Sequence, residues 1–348
     1  MGETYAGAGV DIGAGEEAVA RIREGVRSTF RPEVLGDLGG FGGLFAFDPS
    51  RYRQPVLVSS TDGVGTKAAI AQKTGRFDTI GLDLVAMCVD DVATTGAEPL
   101  FFLDYVAVGR LDPRQVEQIV VGVVEGCRRS GCALIGGEMA EHPGVMEVGH
   151  FDLAGFAVGV VERDRLVTGE HVRPGDVVLG LPSPGLRCNG YSLARRVLLE
   201  VAGRSLDDPA WDGAGHSLAD ELLRPSVIYA PAVARLVEAV DVGALAHVTG
   251  GGLPGNLARV LPPSCDVVVH RGTWEVPRIF EEIRRLGQVA DDEMARTFNL
   301  GIGMVAVVRA DDAFGAHDAL RGAGVPSVEV GEVVPGDGQV RLVGEPNA

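Results

Sequence analysis

The sequence predicts an α/β (α+β) protein of two domains, and three observations carry that expectation. Short apolar, β-branched runs alternate with longer segments of helical period along most of the 348 residues. The alternation breaks once, in the charged and turn-rich stretch 163–174, which has no apolar periodicity. A chain of this length is also more than one core needs. Residues 1–165 are therefore taken as an N-terminal domain with a glycine-rich arm, and residues 166–348 as a C-terminal α/β domain.

The arm holds two glycine-rich segments, 6–15 and 38–44, around a stretch of helical character, Glu16 to Ser28. Such segments suit a flexible linker, or a pair of covers that order over a polyphosphate. Pro55 to Ser60 is a strand, and Asp78 to Thr95 a helix stopped by Gly96. Leu100 to Val108 is an aromatic and β-branched strand. Pro113 to Ser130 is the clearest helix: Asp112 caps it, Pro113 takes its first position and Gly131 ends it. Ala133 to Ile135 is a short strand opening into Gly136-Gly137-Glu138, and Phe151 to Val161 is another. Beyond the break, strands are expected at 176–181, 244–248, 266–270, 301–308, 327–334 and 340–343. Helices are expected at 191–201, 226–240, 276–286 and 313–322.

The formal charge of −17 argues against nucleic acid or an anionic membrane as partner. No apolar run is long enough to span a bilayer, and the first residues lack the charged and apolar regions of a signal peptide. The five cysteines form no CxxC pair, which suits a reduced, cytoplasmic compartment.

Five constellations stand out. Ser59-Ser60-Thr61-Asp62-Gly63-Val64-Gly65-Thr66-Lys67 follows an apolar run, so it reads as a strand feeding a glycine-rich turn. Glycine lets backbone approach a phosphate, and a carboxylate beside it suits magnesium. Lys67 is one of only two lysines among 31 basic residues, so it is unlike surface filler. Asp83, Asp90 and Asp91 lie on one expected helix, with the first two a heptad apart. Such carboxylates form a solvated acidic face or, with Asp62, hold Mg²⁺ on a nucleotide's phosphates. Gly136 to Gly144 delivers Glu138 and Glu141 from a strand end. Gly185 to Ser192 opens a helix and contains Arg187, Cys188 and Asn189. His247-Val248-Thr249-Gly250-Gly251-Gly252 runs from a strand into a helix, an arrangement suited to a phosphate. Two phosphate regions in two domains suggest ATP-Mg²⁺ in one and a phosphorylated small molecule in the other.

These motifs, with Gly81 to Met87, Gly96 to Tyr105 and Arg296-Thr297-Phe298-Asn299, stand in the order of the phosphoribosylformylglycinamidine cyclo-ligase (aminoimidazole ribonucleotide synthetase) family. The resemblance covers nearly the whole chain. It implies a homodimer whose N-terminal sheets pair into a barrel, a C-terminal α/β sandwich, and an active site in the cleft between domains. It also implies ATP-dependent closure of formylglycinamidine ribonucleotide in purine biosynthesis. Carried over by position, Asp62, Lys67, Glu138 and Asn189 resemble catalytic residues. Asp11, Thr61, Asp62, Gly63, Lys67 and Asp91 resemble nucleotide-binding residues, and Asp62, Asp91 and Glu138 metal ligands. Arg187, Asn189, Thr249, Gly250, Gly251 and Gly252 resemble the substrate side.

The chain departs from the family pattern near this site. Asp90-Asp91 replaces the usual Asn-Asp, and Arg187-Cys188 the usual His-Ser. Glu138-Met139-Ala140-Glu141-His142 stands where Glu-Thr-Ala-Glu-Met is usual, and Ala6 follows Tyr5 in place of a lysine. A permanent cation at 187 removes a proton-transfer option and adds an anion anchor. Two readings stay open: the purine enzyme itself, or a paralogue that activates an amide-like oxygen on another substrate. The retained Asp62, Lys67, Asp91 and Glu138 argue against a non-catalytic, nucleotide-binding homologue. Selenophosphate synthetase shares the architecture but wants an N-terminal reactive cysteine, and the first here is Cys88.

Overall fold

The computed structural model describes residues 4–345. They form two compact units, residues 4–92 with 98–163, and 93–97 with 164–345.

The first unit runs α1 (Ile12–Arg27), β1 (Val34–Leu35), β2 (Leu44–Phe45), β3 (Pro55–Gly63), α2 (Ala68–Thr74), α3 (Ile80–Ala93), β4 (Glu98–Val108), α4 (Pro113–Ser130), β5 (Ala133–Glu141) and β6 (Phe151–Glu162). β3 to β6 make one sheet in the order β3-β6-β4-β5, antiparallel except for the β4–β5 pair. α4 forms as its ends dictate: the Asp112 carboxylate accepts from Arg114 N, and Gly131 closes the helix at φ 73°. Its apolar stripe, with Ile119, Val123 and Cys127, is buried with Leu84, Met87 and Phe102. α3 and α4 meet at glycines: a Cβ on Gly81 would lie 2.1 Å from the Ile119 carbonyl oxygen.

Two strands run further than their apolar runs suggest. β3 continues through Ser60, Thr61 and Asp62, because β6 pairs with it in unbroken register from Pro55↔Glu162 to Gly63↔Ala154. β5 continues through Gly136, Gly137 and Glu138, because β4 pairs beside it as far as Val108↔Glu141. The expected turn 59–67 is therefore strand as far as Gly63, and the expected loop 136–144 as far as Glu141, and the side chains there alternate between the two faces.

The second unit runs β7 (Val177–Pro182), α5 (Tyr191–Arg195), α6 (Leu218–Leu222), α7 (Ala230–Ala239), β8 (Val242–His247), α8 (Gly252–Ala258), β9 (Cys265–His270), α9 (Arg278–Gly287), α10 (Asp291–Thr297), β10 (Ile302–Val308), α11 (Ala313–Gly322), β11 (Val328–Pro335) and β12 (Val340–Val343). Its six-stranded sheet has the order β12-β9-β11-β7-β10-β8, with only β12–β9 parallel. β8 and β10 are buried along their whole length, and Ala244, Ala246, Ile302, Val305 and Val307 join a core with Val178, Val267 and Val330.

Candidate active site

In the first unit, sheet register decides which side chains meet. Asp62, Gly155, Asp104 and Gly137 form one row across β3, β6, β4 and β5. Residues directly opposite share a face, so the two carboxylates sit on one face with a bare glycine between them. Gly155 has to be glycine, since a Cβ there would lie 2.4 Å from Phe102 Cζ and 2.9 Å from Cys88 Sγ. α3 supplies Asp91 to this region, where its Oδ2 accepts from Ser60 Oγ at 3.0 Å. Burial pushes the Cys88 thiol up, and the Asp62 and Asp91 carboxylates add to the rise. Asp62 Oδ1 also accepts the Gly63 amide at 2.7 Å. The Thr61 hydroxyl, on the opposite face, donates to the Gly155 carbonyl at 2.8 Å.

Magnesium takes one or two carboxylates, keeps several waters and draws other oxygens from phosphate. Asp62 and Asp91 fit that need. Glu138 does not join them: among the described residues no three carboxylate, histidine or cysteine side chains converge to hold a metal. The reason is register. Glu138 is in the next row, opposite Tyr105, and its Oε1 accepts its neighbour's amide, Met139 N, at 2.8 Å. It therefore faces the other side of the sheet, three strand spacings or roughly 14 Å from β3.

Lys67, expected at the phosphates, is fully buried, and its Nζ lies 2.5 Å from Asp83 Oδ2. The pair ties the turn after β3 to α3, so this ammonium serves the scaffold. Asp90 is also fully buried and adds nothing to the surface near Asp91.

The glycine-rich arm is docked. Glu141 accepts Asp11 N at 2.6 Å through one oxygen and Leu111 N at 2.7 Å through the other. Asp11 in turn caps α1 by accepting Ala14 N at 3.2 Å. The second glycine segment lies so close to β5 that a Cβ on Gly43 would meet the Ile135 carbonyl at 2.7 Å. A cavity of about 560 Å³ lies beneath it, lined by Leu38 to Gly43, α1, and Asp104, Gly137 and Glu138. Asp104 is enclosed there, and burial pushes its carboxyl up to about 7. The signal for Asp104 in the sequence is a single carboxylate inside an apolar strand.

In the second unit the structure brings together the two segments expected at the substrate. Asn189 Nδ2 lies 3.9 Å from where a Gly250 Cβ would be. Asn189 Oδ1 is buried and, among the described residues, has no hydrogen-bond partner. Gly251 and Gly252 adopt φ 99° and 64°, and a Cβ on Gly252 would strike the Ala295 carbonyl at 1.8 Å. Asn256, unremarked in the sequence, clamps this turn: its Nδ2 donates to the carbonyls of Thr249, Gly250 and Gly252 at 3.2, 3.2 and 2.8 Å.

Arg187 is not an open anion anchor. It is 2% exposed, donates to the Val227 carbonyl at 2.7 Å and to His247 Nε2 at 3.0 Å, and its guanidinium lies 4.8 Å from the Tyr229 ring centroid. Cys188 is buried as well.

Comparison with known proteins adds to this geometry. Residues 50–161 match the model of the AIR synthase related protein N-terminal domain, and residues 173–343 that of its C-terminal domain. The phosphoribosylformylglycinamidine cyclo-ligase of Anaeromyxobacter dehalogenans (strain 2CP-1 / ATCC BAA-258) is 55% identical over 337 residues, 97% of each chain. That of Myxococcus xanthus (strain DK1622) is 52% identical over 346 residues, 99% of this chain and 100% of the relative. Among solved structures, the hydrogenase maturation protein HypE in complex with ATP shares the fold, with TM-score 0.69 at 20% identity over 96% of this chain and 92% of that one. With both domain models matched and relatives more than half identical along their full length, the chain belongs to the phosphoribosylformylglycinamidine cyclo-ligase family of AIR synthase related proteins.

Proposed function

We propose that this chain closes formylglycinamidine ribonucleotide to aminoimidazole ribonucleotide at the expense of ATP, in purine biosynthesis. The observation that carries the reading is identity above one half along at least 97% of the length of relatives named for that reaction. An amide oxygen is a poor leaving group. Transfer of the γ-phosphoryl group to the formamide oxygen gives an imidate phosphate and ADP. The amidine nitrogen then attacks that carbon, the C–O bond breaks, and inorganic phosphate leaves with the former formyl oxygen. Little covalent chemistry falls to the protein, whose task is positioning and charge stabilisation.

Asp62 and Asp91 would hold a magnesium ion, which when bound neutralises the nucleotide phosphates. Thr61 and Gly63 belong to the same strand end, and Asp11, docked on Glu141 at the end of β5, would contribute from the arm. Asn189 Oδ1, buried and without a partner, would accept a donor from the substrate. The amides of the Asn256-clamped turn at Gly250, Gly251 and Gly252 suit its 5′-phosphate. The paralogue reading drew on Ala6, Asp90, Met139 with His142, and Arg187-Cys188; of these Asp90, Arg187 and Cys188 are buried in scaffold contacts or core, which weakens it.

A second copy would cover the outer face of the first unit's sheet, where Leu57, Phe156 and Tyr105 are 64%, 39% and 37% exposed. That supports a homodimer. No helix among the described residues is long and apolar enough to cross a membrane. The test of the reading is turnover of purified protein with ATP and formylglycinamidine ribonucleotide. The expected outcome is one ADP per ring closed, and ATP hydrolysis without closure would refute it.

A further inference from the structure

We propose that Arg187 is a positioning residue, which joins the two backbone segments of the substrate side by fixing the tautomer of His247. The proposal borrows from the cyclo-ligase reading only the identity of the substrate.

The guanidinium has donors and no acceptor. Its contact with His247 Nε2 at 3.0 Å therefore makes that nitrogen the acceptor, and the ring proton sits on Nδ1. His247 is the last residue of β8, two before Thr249, and Arg187 is two before Asn189. One side chain thus couples the segment that carries Asn189 to the segment that carries the clamped turn. Its other contacts fix it in space. The Val227 carbonyl takes a second donor, and the ring beneath belongs to Tyr229, which is fully buried and donates to the Pro182 carbonyl at 2.7 Å. Both His247 and Arg187 are within 5% of full burial, so neither can exchange this partner for bulk water.

Arg187 also holds φ at 61°, in the left-handed region that side chains other than glycine adopt rarely. That backbone turn carries the chain directly to Asn189, whose buried Oδ1 lacks a partner and whose Nδ2 neighbours Gly250. A ligand donating to Asn189 would therefore meet the backbone of the Gly250 turn as well. The spacing of the two is set by the Arg187–His247 link. Lysine cannot replace it, because a point ammonium offers neither the planar fork nor the stacked face.

Two measurements decide this. In full-length protein carrying ¹⁵N-labelled histidine, His247 should show a protonated Nδ1 and an unprotonated Nε2. In Arg187→Lys that signature should be lost. A wild-type spectrum with protonated Nε2 overturns the proposal. Kinetics of Arg187→Lys and Arg187→Gly supply the second readout, glycine being chosen because it accepts the backbone angle. The KM for formylglycinamidine ribonucleotide should rise at least about tenfold in both, with KM for ATP within about twofold of wild type. Millimolar methylguanidinium should restore it in Arg187→Gly alone. Folded variants with both constants unchanged, or with both raised equally, overturn the proposal. If wild-type protein does not close that ring, the cyclo-ligase reading falls, while the tautomer spectrum still decides the proposal.

Discussion

Asp104 shows how a residue's neighbours, more than its type, decide its chemistry. It lies opposite Gly155 on one side and Gly137 on the other, in a cavity walled largely by apolar side chains and glycine backbone. Burial disfavours the charged form, which is why its carboxyl is pushed up to about 7. The folded protein therefore binds a proton that the unfolded chain releases near pH 4. Its contribution to stability is present below that pH, is lost as pH rises towards 7, and stays lost above. Asp104→Asn, which carries no charge, should gain in melting temperature over wild type as pH goes from 5 to 8. A constant difference across that range would contradict the assignment. Lys67 and Arg187 teach the same lesson in reverse. Both read as phosphate cations in the sequence. Yet Lys67 is fully enclosed with Asp83, and Arg187 is taken by Val227, His247 and Tyr229. Partners 16 to 60 positions away cannot be seen in a local motif.

At the scale of elements, long periodic segments were legible and short ones were not. Helix α4 occupies the span its periodicity and end signals predict, and helix α11 the span expected for it. Helices of five to seven residues, such as α6 and α10, carry too few turns for an apolar stripe to register. β3 and β5 overran their apolar cores because partner strands offered hydrogen bonds to polar and glycine residues. Strand pairing of this kind is tertiary information that local propensity lacks. The site depends on that overrun, since it turns the Ser59–Gly63 motif into two alternating rows and places Asp62 beside Gly155. Gly155→Ala should therefore cost about 1–3 kcal/mol through the clash with Phe102 and Cys88. Urea denaturation of the purified variant measures this. Unchanged stability would mean that the helix-facing side of the sheet is looser than these contacts imply.

For the whole molecule, the expected alternation of strands and helices matches the mixed α/β architecture, and family membership follows from both domain models and the full-length relatives. What one chain does not complete is the outer face of the first sheet. Exposed Leu57, Phe156 and Tyr105 there should be covered by a second copy, so sedimentation at micromolar concentration should give a dimer. Leu57→Asp should shift it towards monomer, and a monomeric wild type would refute the pairing. Activation of the formamide oxygen by phosphorylation has a more direct test. Substrate carrying ¹⁸O in its formyl group is converted with unlabelled ATP, and the inorganic phosphate is analysed by mass spectrometry. One ¹⁸O per phosphate released is expected, in step with ADP and ring closure. Phosphate free of ¹⁸O while the ring closes would contradict it.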